Sequence, residues 1–514
     1  MPSLRSIFND FKTAVLFLPS FLLPFVNMYG IINKENKDRR GFMSVKTAQP
    51  ESKLKLKAEK EIRKWEKQKK GSDKKTYFAY LIFIITLIYA TDEIASQIGM
   101  LMKSEIAADL FAKHGDSSVG MLDLVSALAI PFQAVGLLYR PLADRWGRKK
   151  FLIINTFGMS FSLLLIFLSN NLALYFIGAC FIQFFVPHDM HVVYIMESSP
   201  AKHRARVYST IKFFANMGVM LVPLLRRWLI STAGDSYGWR MVYFIPAVVG
   251  LVVSFIALLG AKETPSFVES RLNYLRMTDE EKLALKNSKK AESKQGGLIP
   301  AFKFALGHKQ LRWLYVVSAL ANIGFYASIN YEPILTYGYE DSGILSAGDA
   351  VITALVLFPI GSAIAQVVMG FISDWRGRKT AAIITAFNCL VGFLGFSLGA
   401  KNGLNASVVG FLCGVFVGSY YSINDVLIMM IGESAPTNLR SSAISAQYIV
   451  TAIGYGISLG VGTLCAIKLG NGLIGTATLC MLVPGFVSAL VVLFKNVGET
   501  KGIDMDTVTG AEWD

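Results

Sequence analysis

Apolar runs of about 20 residues, each bounded by charged or turn-forming positions, recur along this chain, and that is the length a helix needs to cross the ~30 Å hydrocarbon core of a bilayer. They fall at residues 77–101, 118–139, 151–169, 172–196, 207–230 and 240–260, and again at 312–336, 348–372, 380–400, 406–431, 441–465 and 473–495. The pattern predicts an all-α polytopic membrane protein with 12 transmembrane helices, six in each half. Between the halves, residues 261–311 are polar and lysine-rich and predict a cytoplasmic linker with one short amphipathic helix. The expected organisation is a basic cytoplasmic region at 1–76, six-helix bundles at 77–260 and 312–495, and a cytoplasmic tail at 496–514.

Composition agrees with this class. Of 514 residues, 53% are hydrophobic and 17% charged, too apolar for an ordinary soluble chain of this size. The net charge of +15 raises nucleic acid as a partner, but its placement argues against one. Residues 34–75 alone hold 16 Lys/Arg against 7 Asp/Glu, and most of the remaining excess sits in loops, as the positive-inside rule requires. The five cysteines all lie in apolar segments without metal-ligand spacing, so neither a disulfide framework nor a metal centre is expected.

Loop charge sets the orientation. Arg140, Arg145, Arg148, Lys149 and Lys150 follow span 2; Lys202, Arg204 and Arg206 follow span 4; Arg376, Arg378 and Lys379 follow span 8; Arg440 follows span 10. Intervening loops such as "SNN" (169–171) and "YEDSG" (339–343) are neutral or acidic, which places both termini in the cytoplasm of a plasma-membrane protein. Arg226 and Arg227, at the outer end of span 5, break the bias, and nothing in the sequence explains them. The apolar stretch 14–32 is followed by the most basic part of the chain, which fits an interfacial helix better than a signal peptide or a thirteenth span.

The two halves repeat one another. "GLLYRPLADRWGRKK" (136–150) and "GFISDWRGRKT" (370–380) align Asp144, Gly147, Arg148 and Lys149 with Asp374, Gly377, Arg378 and Lys379 at an offset of 230. "ESSPAKHR" (197–204) and "ESAPTNLR" (433–440) share E-x-x-P-x-x-x-R at an offset of 236, which also pairs Gly178 with Gly414, Asp189 with Asp425 and Gly218 with Gly454. Repeated halves are a transporter hallmark, with the solute site near the midplane between them. One departure stands out: Gly370, where close helix approach is expected, is answered by Arg140 in the first half, which predicts a weaker gate at 140–150.

The hinge D-x-x-G-R-K after spans 2 and 8 resembles the signature of the major facilitator superfamily. The paired E-x-x-P-x-x-x-R, with "KETPSFVESR" (262–271) and "GETKG" (498–502), resembles its sugar-porter, organic-ion and metabolite:proton symporter branch, over about residues 77–502. The resemblance implies the major facilitator fold of two pseudo-symmetric six-helix bundles. It also implies a cytoplasmic gating latch of Asp144, Arg145, Arg148, Glu197 and Arg204 in the first half and Asp374, Arg378, Glu433 and Arg440 in the second. Sugar porters carry a glutamine pair in span 7 and an arginine and glycine series in span 4. Here those segments are "ALANIGFYASINYEPIL" (319–335) and "ALYFIGACFIQFF" (173–185), departures that argue against a sugar.

Ionisable residues inside spans cost about 2.5 to 3.5 kcal/mol on insertion scales and so mark candidate sites. Asp189 and Asp425 each lie eight residues before the cytoplasmic Glu197 and Glu433, about 12 Å deeper and close to the midplane. His188 and His191 flank Asp189, and this cluster fits either a proton relay or an interhelical polar contact; as a metal site it lacks a fourth ligand. Asp92 and Glu93 sit in span 1, pointing about 100° apart. Lys212 in span 5, Asn322, Tyr326, Asn330, Tyr331 and Glu332 in span 7, and Asn424 in span 10 complete the candidate solute and proton site.

The expected function is secondary active transport of a small organic solute by alternating access with proton coupling. The acidic balance of the cavity leans toward a cationic or zwitterionic metabolite. Alternatives are a facilitative uniporter for a sugar or organic acid, and a non-transporting membrane sensor or scaffold. No protease, P-loop or nucleotide motif is present, so no enzyme activity and no cofactor beyond a proton gradient are expected. The expected partners are the solute, protons and the lipid bilayer, with anionic lipids at the basic N-terminal region, no nucleic acid, and a monomeric state.

Overall fold

The computed structural model describes residues 51–72, 75–133, 143, 147–186, 190–199, 204–233, 238–278, 280–284, 287, 298–436 and 439–502. The expected helix at 14–32, together with Asp144, Arg145, His188 and Asp189, lies outside the described residues.

Helices account for the whole described architecture. In the first half they are α1 Glu51–Ser72, α2 Lys75–Leu101, α3 Lys103–Leu110, α4 Ser118–Ala129, α5 Arg148–Phe167, α6 Leu172–Phe185, α7 Met190–Ser198, α8 Arg204–Gly218, α9 Leu221–Ala233, α10 Gly238–Gly260 and α11 Pro265–Arg276. In the second they are α12 Leu298–Gly307, α13 Lys309–Ala321, α14 Phe325–Ile329, α15 Tyr331–Asp341, α16 Ala347–Arg376, α17 Arg378–Lys401, α18 Ala406–Ser434, α19 Arg440–Leu469 and α20 Ile474–Asn496. Among the described residues, nine helical stretches are long and apolar enough to cross a membrane. Expected spans 5 and 7 are interrupted within the described residues. Span 5 breaks between α8 and α9, and span 7 breaks twice, at the turn Asn322–Gly324 and at Asn330, where the backbone leaves the helical region (φ −120°, ψ 18°).

Close helix contacts in the second half follow from a ladder of small residues. Gly410, Gly414 and Gly418 on α18 lie directly against the α16 backbone at Ala354, Phe358 and Ser362, so a β-carbon at any of them would collide with it. With no hydrophobic drive between helices in lipid, such close approach supplies the van der Waals contact that holds spans together. Gly370 is the exception to expectation: a β-carbon there meets nothing within 4 Å, so no helix approaches it closely.

By internal contacts the chain forms two compact units. The first comprises Met1–Asp92, Ala129–Tyr208 and Tyr243–Lys282; the second comprises Glu93–Leu128, Ser209–Val242 and Leu283–Asp514. The end of α2, with α3, α4 and α9, therefore packs with the second half of the sequence.

Candidate functional site

Each unit contains one D-x-x-G-R-K hinge, and the two are built alike. In the first, Arg148 pairs with Glu197 (3.0 Å), whose other oxygen accepts from the Thr264 hydroxyl (2.6 Å). In the second, Arg378 pairs with Glu433 (3.2 Å), whose other oxygen accepts from the Thr500 hydroxyl (2.6 Å). The glycine before each arginine has a positive φ, 105° at Gly147 and 110° at Gly377, a conformation that residues with a β-carbon rarely hold. A carboxylate fills the space each glycine leaves. Glu263 accepts from the Lys149 amide (2.9 Å), and Glu499 from the amides of Arg378 (2.7 Å) and Lys379 (3.1 Å). These amides open α5 and α17, so each carboxylate also meets a helix N-terminus.

Glu263, Thr264, Glu499 and Thr500 complete both clamps, and the sequence reading, though it quoted their segments, did not assign them to the latch. The signal was present, since "KET" (262–264) and "GET" (498–500) share Glu-Thr at the 236-residue offset already found for Glu197 and Glu433. In the expected latch, Asp374 near the end of α16 pairs with Arg378 at the start of α17 (2.7 Å), Arg440 opens α19, and Arg204 opens α8 with its side chain outside the described residues.

Within the first unit, α2, α5 and the α6–α7 segment enclose a small cavity lined by Asp92, Asn155, Thr156, Phe185 and His191, with Ile88, Leu152, Met159, Val186 and Met190 as its apolar wall. Asp92 is 7% and His191 3% exposed, and His191 Nε2 lies 4.0 Å from an Asp92 carboxylate oxygen. The His191 ring rests against Tyr89, with 4.0 Å between centroids. Both polar atoms of the Asn155 amide are buried without a protein hydrogen-bond partner. Buried amides are almost always satisfied, so this cavity is equipped to bind a polar guest or water.

Other expected site residues fall in the second unit. Asn322 and Asn424 bond to each other (2.8 Å), and the Tyr420 hydroxyl donates to Asn322 (2.8 Å). Asp425, next along α18, is exposed on a stripe with Tyr421 and Met429, which favours a water-lined surface over hydrocarbon. Glu93 accepts from Gln97 (3.0 Å), Lys212 is half-buried on α8, and Tyr331 is buried with its ring stacked on Phe358 (4.8 Å).

Tyr326 and Asn330 belong instead to a buried charged group at the far end of span 7 from Asn322. Lys103 pairs with Asp123, whose other oxygen accepts from Asn330 (3.3 Å), and the Tyr326 phenol faces the same carboxylate. Arg226 pairs with Glu105 and lies 3.4 Å from Glu332, which also accepts from the Ser104 amide (2.9 Å) and hydroxyl (2.8 Å). This accounts for Arg226 as an exception to the loop-charge bias, because its charge is neutralised inside the protein. Arg227, on another face of α9, lies 3.8 Å from Asp349 with both side chains exposed.

Among the described residues, no group of three or more His, Cys, Asp and Glu side chains is placed to hold a metal ion.

Residues 77–459 match the family model of the Major Facilitator Superfamily. The proline/betaine transporter of Escherichia coli strain K12 is 24% identical over 373 residues, 68% of this chain and 70% of that protein. The cis,cis-muconate transport protein of Acinetobacter baylyi is 23% identical over 346 residues, 65% of this chain and 76% of that protein. Among solved structures, a D-xylose-proton symporter superposes with a TM-score of 0.58 at 17% identity, covering 83% of this chain and 99% of that one.

Proposed function

The chain belongs to the major facilitator superfamily, and we propose that within it this protein carries a small organic zwitterion or cation by proton-coupled symport. It is an integral membrane secondary transporter and not an enzyme. The observation that carries the coupling is the buried Asp92–His191 pair beside the unsatisfied Asn155 amide. At 4.0 Å the carboxylate and the imidazole form an ion pair when the imidazole carries its proton, and histidine is the side chain suited to gaining and losing one near neutral pH. The negative balance of Asp92, Glu93 and Asp425 against Lys212 favours a solute bearing positive charge. The proline/betaine relative points the same way, since both named solutes are zwitterions.

In this proposal the hinges face the cytoplasm of the plasma membrane, as do both termini, and Asp144, Arg145, Arg148, Glu197, Arg204, Asp374, Arg378, Glu433 and Arg440 form the cytoplasmic gate. His188, Asp189, Asn322, Asn424 and Asp425 contribute to the solute path. The protein works as a monomer, and α1 contacts anionic lipid: Glu61 and Glu66 turn toward α11, leaving Lys60, Arg63, Lys64 and Lys67 exposed.

Uptake into proteoliposomes tests the proposal, with amino-acid and betaine zwitterions, organic cations, organic acids and sugars offered with and without an imposed pH gradient. Zwitterion or cation uptake driven by an acidic exterior is expected. Asp92→Asn should abolish the response to the gradient while solute exchange at equal pH persists. Uptake indifferent to the gradient would establish uniport, and uptake of acids or sugars alone would overturn the solute class.

A further inference from the structure

The buried group that joins α3, α4 and α9 to span 7 does not balance its charges. Lys103 and Asp123 neutralise one another, while the single guanidinium of Arg226 serves both Glu105 and Glu332. Fully ionised, three carboxylates oppose two cations in a site where Lys103, Asp123, Arg226 and Glu332 are all buried. An uncompensated charge there is costly, and two carboxylates sharing one site cannot both ionise freely.

Among the described residues, the groups bonded to this cluster include no third cation. From α3 come Ser104 and Lys103, from α4 Asp123, from α9 Arg226, and from span 7 Tyr326, Asn330, Glu332 and Thr336. Tyr337 and Glu340, also on α15, act electrostatically on Glu332, and the acid adds to the deficit.

Hydrogen bonding decides which carboxyl takes up the missing charge. Glu332 accepts from the Ser104 amide and hydroxyl on one oxygen, and from Thr336 (2.8 Å) and Arg226 on the other, so both of its oxygens are occupied by donors. Glu105 has one oxygen on Arg226, while Oε2 is buried with no hydrogen-bond partner.

We infer that Glu105 is a proton-binding site whose proton balances this group and closes the outer mouth, tying the outer ends of spans 1, 2 and 5 to span 7. Burial pushes its carboxyl up to about 7 against the attraction of Arg226. Protonated, the group is neutral and stays clasped. Deprotonated, it holds an excess negative charge that only hydration relieves, which requires the mouth to loosen. A proton arriving from outside would thus favour closure behind a bound solute. Calling this end outer rests on the transport orientation proposed above, whereas the proton site itself does not.

Accessibility of a cysteine beside the clasp tests this in the full-length chain. Ala107→Cys, at a fully buried position of α3, is placed in a background with the exposed Cys480 changed to Ser. It is labelled from outside intact cells with a membrane-impermeant thiol reagent. Rates are normalised to Leu345→Cys, at a fully exposed position, to remove the pH dependence of the thiol itself. Normalised labelling should rise about tenfold as pH climbs from well below to well above a midpoint near 7. Glu105→Gln should hold it slow at every pH, and Glu105→Asp should restore the pH dependence, which separates loss of the proton site from misfolding. A flat parent profile, an unchanged midpoint in Glu105→Gln, or uniformly fast labelling of that variant would each overturn the inference. If Leu345→Cys reacts only in inside-out vesicles, the orientation is wrong; the pH profile measured from that side still decides the proton site.

Discussion

The two hinges share one plan and shield their Arg–Glu pairs equally, yet the carboxylate at the glycine is covered in one and open in the other. Glu263 is 6% exposed, while its counterpart Glu499 is exposed on the surface of the second unit. The cover comes from α11, which follows the first bundle, and from α1, which precedes it. Phe267 on α11 lies 6.0 Å from the Arg148 guanidinium, and Trp65 on α1 packs edge-on against Phe267 (6.0 Å). Arg271–Glu61 (2.9 Å) and Arg276–Glu66 (2.8 Å) fix α1 along α11. At the open hinge, Arg378 takes its extra partners from its own neighbourhood, Asp374 (2.7 Å) and Ser373 (3.0 Å). The same three-part clamp therefore has its glycine-capping carboxylate overlaid by helices in one case and exposed in the other.

The largest expected effect comes from filling the glycine positions. Gly147→Ala and Gly377→Ala each force an L residue to positive φ, at a cost of about 1–2 kcal/mol. At Gly147 the new methyl also meets the enclosed Glu263, whereas the exposed Glu499 has room to swing away. Thermal unfolding in detergent should therefore show the larger loss for Gly147→Ala, and equal losses would break the contrast.

Next in size is the effect of removing each carboxylate. Glu263→Gln and Glu499→Gln disturb acceptors of backbone amides, costing about 1 kcal/mol where the group is buried and less where it is exposed. Burial also raises the Glu263 carboxyl above its ordinary 4.5, despite the amides of Lys149, Thr264 and Arg148 that favour ionisation. A raised value in the folded protein contributes stability that is complete below about 4.5 and is lost as pH rises through the higher folded value. The pH slope of the melting temperature above 4.5 should flatten in Glu263→Gln, and a slope equal to that of the parent would remove the buried carboxyl from the account.

A smaller effect is expected for the overlying helix. Trp65→Ala removes the edge-on ring contact, worth about 0.5–1.5 kcal/mol beyond its area. It should speed amide exchange in α11 and around Arg148 while leaving the second hinge untouched; protection unchanged at both hinges would show that α1 does not brace the first.

Least of all should change in Gly370→Ala. With open space around the position, the substitution should be neutral or gain up to about 1 kcal/mol of helix propensity. A clear loss of transport without loss of stability would restore Gly370 as a point of close approach in another state of the cycle.

Much of the fold was legible because a membrane imposes a simple rule on sequence. The expected spans 348–372, 380–400 and 406–431 lie inside the observed helices Ala347–Arg376, Arg378–Lys401 and Ala406–Ser434. The interruptions in span 7 were not legible, since Asn322 and Asn330 read as solute-site hydrogen bonders on a continuous helix. At the candidate site, Asp92 and His191 were each singled out, yet their pairing with one another was not, and Asn155 was passed over as an ordinary polar residue within a span.

The sequence by itself determined the helical membrane class, the internal repeat and the positions of both hinges, because hydrocarbon length, charge asymmetry and a glycine at positive φ act locally on the chain. Only the tertiary structure decided which charges meet. Lys103, Asp123, Arg226 and Glu332 are scattered over 229 residues, and whether such charges are costly strays or a neutralised cluster depends on burial and on distances of a few ångströms, which no local pattern encodes.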